Sequence, residues 1–163
     1  MEAEALSMYT TTTDDGQAEV PVTAEPPAGK TFRDFGIAEP ICAALEAEGI
    51  TTAFPIQALT LPIALDGHDL IGQARTGTGK TFAFGIPILE RIHESTREPS
   101  APRALVVVPT RELAIQVADD LRLASANLDV NVVTLYGGRA YEPQIDALAT
   151  VDVVVAPRAG CWT

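Results

Sequence analysis

Eight residues, Ala74-Arg75-Thr76-Gly77-Thr78-Gly79-Lys80-Thr81, constrain this chain more than any other segment. A short extended run, Asp69 to Ala74, leads into them, and a helical pattern from about Gly79 to His93 leads out. Strand, glycine-rich turn and helix in that order make a loop whose main-chain N–H groups point inward. The helix adds roughly half a positive charge at its N-terminus. Such a loop cradles a polyphosphate, here with Ala74 where the first glycine usually stands. Lys80 is then placed to reach the β- and γ-phosphates, and the Thr81 hydroxyl to ligate Mg²⁺. The plainer alternative is a glycine-rich turn with a chance lysine, and the strand and helix on either side argue against it. The motif specifies a nucleoside triphosphate and leaves the reaction open.

Around this loop, helical and extended patterns alternate. Pro40 to Glu48 has helical spacing and stops at Gly49. Ile56 to Leu65 predicts a second helix, bent or interrupted at Pro62. Ala104 to Val108, Val130 to Leu135 and Val151 to Ala156 are apolar and mostly β-branched, which predicts strands buried on both faces. Between them, Arg111 to Ala126 and Tyr141 to Ala149 predict helices, with turns at Ser95 to Pro102 and Gly137-Gly138. The pattern is that of an α/β fold, a doubly wound parallel sheet with ligands at the carboxyl ends of its strands.

Residues 1–30 are different. Thr, Ala, Pro and acids dominate, and such a segment buries too little apolar surface to offset its ordering entropy, so a disordered acidic tail is expected. It carries Glu2, Glu4, Asp14, Asp15, Glu19 and Glu25 against Lys30 alone, and so holds nearly half of the net charge of −11. No basic stripe is visible elsewhere, so contact with a nucleic acid has to come from a few placed groups and main-chain amides. The first ten residues carry acids where a signal peptide is basic, and no apolar run approaches the roughly 18–20 residues of a membrane span; a cytoplasmic protein is expected. Cys42, Cys161, His68 and His93 lack metal-ligand spacing and are expected to be structural or surface residues.

Upstream of the loop stand Phe32, Gly49 and Ile56-Gln57. A glutamine amide offers a donor and an acceptor, which match the two adjacent polar sites on the edge of adenine, and an aromatic ring can stack on the base. Residue chemistry leaves open that Phe32 is a core anchor and Gln57 a surface residue. Taken together, however, Phe32 seventeen residues ahead of Gly49, Ile56-Gln57, Ala74 to Thr81, Pro109-Thr110-Arg111-Glu112-Leu113-Ala114 and Gly137-Gly138 resemble, in order and spacing, the Q motif, motif I, motif Ia and double-glycine motif of the DEAD-box RNA helicases, in a bacterial style.

The resemblance covers roughly residues 31–156. It implies the first of two RecA-like lobes, ATP and Mg²⁺ as cofactors, RNA as partner with weak sequence selectivity, and ATP-dependent RNA unwinding by an intact two-lobed protein. It also implies roles. Gln57 reads adenine and Phe32 stacks on it. Ala74, Thr76, Gly77, Thr78, Gly79, Lys80 and Thr81 hold the phosphates and Mg²⁺, with Lys80 and Thr81 the catalytic residues. Pro109, Thr110, Arg111, Gly137 and Gly138 lie along the RNA backbone. Thr110 also suits a plain helix N-cap, and the two roles are compatible. Ala53 departs from the proline usual in the Q motif, with Phe54 and Pro55 following it.

After Ala156 the resemblance is expected to stop. Family members continue with Thr-Pro-Gly-Arg-Leu-Leu-Asp, whereas this chain reads Pro157-Arg158-Ala159-Gly160-Cys161-Trp162-Thr163. Written in GC-rich codons (ACC CCG GGC CGG CTG CTG GAC C) and read one nucleotide late, the family peptide becomes this tail, so a frameshift is expected. The Asp-Glu-Ala-Asp segment, the coupling motif and the second lobe with its arginine fingers do not occur in these residues. Negligible ATPase and no unwinding follow as expectations. Sheet edges left without partners predict marginal stability and aggregation. Two other readings are a non-catalytic nucleotide- and RNA-binding module, and another phosphate-loop ATPase such as a DNA helicase or kinase, against which Phe32, Gln57 and the 109–114 segment argue jointly.

Overall fold

In a computed structural model, which describes residues 7–11, 20–21, 29–95, 101–138 and 141–158, strands and helices alternate from residue 69 onward. The elements are β1 (Ser7–Thr11), β2 (Val20–Pro21), a 3-10 turn (Phe32–Phe35), α1 (Glu39–Ala47), α2 (Pro55–Leu65), β3 (Asp69–Gln73), α3 (Lys80–Glu94), β4 (Ala104–Val108), α4 (Arg111–Ala124), β5 (Val132–Thr134), α5 (Tyr141–Leu148) and β6 (Val153–Pro157).

The β-branched runs form a parallel sheet of order β4-β6-β5, with Val106 opposite Val155 and Val133 opposite Val154. β6 lies in the middle and is buried along its whole length, as an all-apolar strand covered on both faces must be. The main core joins Val153 and Val155 of β6 to Ile86, Leu89 and Ile92 of α3 and Val117, Ala118 and Leu121 of α4. α3 and α4 touch directly at Gly85: a Cβ there would stand 2.7 Å from the Leu121 Cδ2. Phe32, Ile37, Ile41 and Leu45 extend the same core.

At the amino ends of these strands a buried charge cluster fixes the register. Arg103 donates to Asp152 Oδ1 from Nε at 3.1 Å and from Nη2 at 2.9 Å. The Asn131 N–H donates to Asp152 Oδ2 at 2.9 Å, and Arg103 Nη1 donates to the Ile92 carbonyl at 2.9 Å. One carboxylate thus ties the starts of β4, β5 and β6 to the end of α3.

The α/β fold with a parallel sheet is as expected. The strand that leads into the phosphate loop was expected inside that sheet. Instead, among the described residues, β3 belongs to a separate sheet of order β2-β1-β3 and pairs antiparallel with β1, Ser7 opposite Gln73 and Thr11 opposite Asp69. Accordingly, part of the 1–30 stretch expected to be disordered is extended and paired, while most of the rest lies outside the described residues. The reason is that strand pairing uses main-chain groups. The open edge of β3 offers N–H and C=O groups to any extended segment, and composition says nothing of that. Smaller differences concern α2, which runs unbroken through Pro62 to Leu65, and the 3-10 turn at Phe32, which carried no periodicity to read. Of the 157–163 tail, Pro157 and Arg158 continue from β6, the Arg158 N–H donating to the Val108 carbonyl at 2.8 Å; residues 159–163, with Cys161 and Trp162, lie outside the described residues.

The expectation of uncovered apolar surface holds. Ile71 of β3 is 61% exposed, and Leu105 and Val107 of β4 are 64% and 55% exposed. A cavity of about 510 Å³ also opens between α2, β3 and α3.

Candidate nucleotide and nucleic-acid site

The turn from β3 into α3 has the backbone that the glycines promise. Gly77 and Gly79 have φ of +80° and +78°, a region that side chains other than glycine avoid. At Gly79 space also forbids a Cβ, which would stand 2.4 Å from Gln57 Nε2 and 2.7 Å from Phe54 Cδ2. Gly79 caps α3, which begins at Lys80. The Lys80 ammonium turns back into the loop and donates to the carbonyls of Ala74 and Arg75, both at 2.5 Å. The Thr78 hydroxyl donates to the Arg75 carbonyl at 2.8 Å and braces the turn. Thr76 and Gly77 are exposed at its tip.

Thr81, one residue further, hydrogen-bonds the carboxyl group of Asp120 on α4, whose pKa burial nevertheless pushes up. A threonine hydroxyl that donates to a carboxylate keeps its lone pairs for a cation. Among the described residues there is no group of three His, Cys, Asp or Glu able to hold a metal. The Thr81 hydroxyl at the start of α3 is a hard oxygen donor of the kind that Mg²⁺ takes alongside phosphate and water.

Gln57 and Phe32 separate the alternatives left by the sequence. Gln57 is not a surface residue: it is fully buried at the start of α2. Its Oε1 accepts from the Phe54 N–H and its Nε2 donates to the Gly79 carbonyl, each at 2.8 Å, which ties α2 to the phosphate loop. Phe32 is 2% exposed and sits in the main core, where the core-anchor alternative placed it. The aromatic ring that the structure sets beside the loop is Phe54, half exposed, to which the sequence assigned no role beyond its place after Ala53.

The other predicted cluster lies at the carboxyl ends of β4 and β5. Thr110 is the N-cap of α4, its hydroxyl accepting from the Leu113 N–H at 3.2 Å. Pro109, Thr110 and Arg111 are exposed, as are Gly137 and Gly138, the latter with φ of +84°. The Arg111 guanidinium lies 4.2 Å from the centre of the Tyr136 ring, so the two segments, some 25 residues apart in sequence, meet. Tyr136 is itself buried, and its N–H donates to Gln144 of α5 at 3.1 Å.

A glycine loop whose lysine turns back onto it, opening a helix at the carboxyl end of a strand, defines a phosphate-loop nucleotide-binding lobe of the RecA-like α/β class. The family model described as DEAD/DEAH box helicase matches residues 54–161, and this chain belongs to that family. The match runs into the 157–163 stretch, past Ala156, where the resemblance was expected to stop. The chain is 49% identical over 130 residues to the DEAD-box ATP-dependent RNA helicase CshA of Geobacillus kaustophilus, covering 80% of this chain and 27% of that one. It is 45% identical over 131 residues to the ATP-dependent RNA helicase RhlB of Xanthomonas oryzae, covering 77% and 23%. The crystal structure of the RNA helicase Prp28 from Chaetomium thermophilum, bound to ADP, superposes with a TM-score of 0.73 at 32% identity, covering 92% of this chain and 35% of that one. The chain thus spans about a quarter of the length of the curated relatives it matches. Among the described residues no helix is long and apolar enough to cross a membrane.

Proposed function

We propose that these residues are the ATP-binding, RNA-contacting part of an ATP-dependent RNA helicase. The observation that carries the reading is the joint between Gln57 and Gly79. An amide nitrogen has two protons and an amide oxygen two lone pairs. With one of each committed to the Gly79 carbonyl and the Phe54 N–H, one donor and one acceptor remain, the pair that the edge of adenine requires. The same residue holds the phosphate loop, so base and phosphates are read by one connected unit.

In this reading Lys80 leaves the Ala74 and Arg75 carbonyls for the β- and γ-phosphates, since a charge-assisted bond to phosphate is stronger than one to a neutral carbonyl. Thr76 to Gly79 surround the phosphates with main-chain N–H groups. Thr81 ligates Mg²⁺, which neutralises phosphate charge when bound. Pro109, Thr110, Arg111, Gly137 and Gly138 line a path for a sugar-phosphate backbone and carry little base information. The cellular setting that suits this chemistry is the cytoplasm.

Titration of the pure protein with Mg·ATP and Mg·GTP tests the reading. ATP binding that Lys80→Ala abolishes, and a preference for ATP over GTP that Gln57→Ala removes, are the expected results. ATP binding that Lys80→Ala leaves intact would refute the phosphate-loop reading, and equal binding of the two nucleotides would refute Gln57 as adenine reader.

A further inference from the structure

We infer that Phe54, not Phe32, supplies the ring on which the nucleobase stacks, and that it sets how tightly this chain holds the base. The inference rests on the nucleotide-site reading above and adds a residue to it.

Four observations converge on Phe54. It is a large apolar side chain 51% exposed, although it immediately precedes a helix whose first turns are buried. Its ring comes against the phosphate loop: Phe54 Cδ2 lies 2.7 Å from the point where a Gly79 Cβ would stand, and Gln57 Nε2 lies 2.4 Å from the same point. Its N–H donates to Gln57 Oε1 at 2.8 Å, so ring, amide and loop form one unit. Finally, Phe32 is packed in the main core with Ile37, Ile41 and Leu45, and using it as a platform would open that core.

The geometry has a chemical consequence. A base approaching Gln57 meets the Phe54 ring first, because Gln57 is fully buried and Phe54 is not. A purine laid on that ring covers exposed apolar surface, and its edge then faces the amide. Stacking is indifferent to the identity of the base, since every base has a π face. Phe54 therefore contributes affinity for any nucleobase, while Gln57 contributes the choice of adenine. The Phe54 ring contributes nothing to a polyphosphate that carries no base.

The test compares ADP with inorganic tripolyphosphate, both in Mg²⁺, on the full 163-residue chain, by calorimetry. For Phe54→Ala we expect ADP binding weaker by roughly tenfold, the size of one aromatic stacking contact, with tripolyphosphate binding unchanged. Phe54→Tyr, which keeps the ring, should bind ADP within about twofold of the wild type on the same reasoning. Unchanged ADP binding in Phe54→Ala overturns the inference. So does an equal loss for ADP and tripolyphosphate, which would mean that the side chain shapes the loop rather than the base site. Wild-type protein that binds neither ligand overturns the nucleotide-site reading, and this inference with it.

Discussion

The strands β6, wholly apolar, and β3, which mixes apolar with polar residues and glycine, stand in opposite circumstances. β6 is flanked by β4 and β5, tied at its amino end through Asp152, and buried throughout. β3 leads into the phosphate loop, yet four of its five residues are exposed and its strand partner among the described residues is the antiparallel β1. The predicted phosphate-loop residues thus follow a largely exposed strand, and the packing energy lies around a strand that carries no predicted site residue. A phosphate loop can hold its shape in these conditions because local devices brace it: glycines at positive φ, the Gln57 bridge, the Thr78 hydroxyl and the Lys80 ammonium. The β4-β6-β5 sheet, by contrast, is held by neighbours distant in sequence.

The contrast can be broken experimentally, most severely at Asp152. Replacing it with Ala leaves the Arg103 guanidinium, which is largely buried, without its carboxylate. We expect a loss of about 3–5 kcal/mol in urea unfolding. An unchanged midpoint would mean that the cluster does not hold the sheet. Next in size is a matched pair, Val155→Ala in β6 and Ile71→Ala in β3. The first removes two buried methyl groups and should cost about 2–3 kcal/mol, the second within about 0.5 kcal/mol. Equal costs would show that β3 is as buried in solution as β6.

A third variant probes the bracing of the loop itself. In Gln57→Ala the Phe54 N–H and one bond to the Gly79 carbonyl lose their partner, and a loss of about 1–2 kcal/mol is expected. Faster amide exchange at residues 76–81, with residues 153–157 unaffected, would locate the effect on the β3 side. The smallest expected change is at Glu90, which is buried on α3 and accepts from the Ala38 N–H at 2.6 Å. Burial pushes its carboxyl pKa up. The folded state therefore favours the protonated form, so the stability gained is present below the ordinary carboxylate range and is lost as pH rises through the raised value. Melting curves across that range should be flatter in Glu90→Gln than in the wild type; parallel curves would rule out Glu90 as the source.

Much of the architecture was legible because it follows from local rules. Val153–Pro157 is an apolar run with no alternation, and it is covered on both faces as such a run predicts; Ala104–Val108 reads the same way, yet one face of β4 is exposed at Leu105 and Val107. Thr110 before Arg111 marks a helix start, and its hydroxyl does cap α4. Less legible was anything set by partners far along the chain. Nothing in the sequence near Ser7 announces that it will lie on Gln73, nor near Arg111 that it will rest on Tyr136.

What the sequence determined by itself is the phosphate loop and the alternating order of elements, because glycine conformation, helix starts and buried-strand composition are properties of a few consecutive residues. The tertiary structure alone decided which aromatic ring stands at the loop and which strands share a sheet. Burial of Phe32 and exposure of Phe54 depend on how α1, α2 and α3 pack together, and strand order depends on which main-chain edges remain open once the helices are in place.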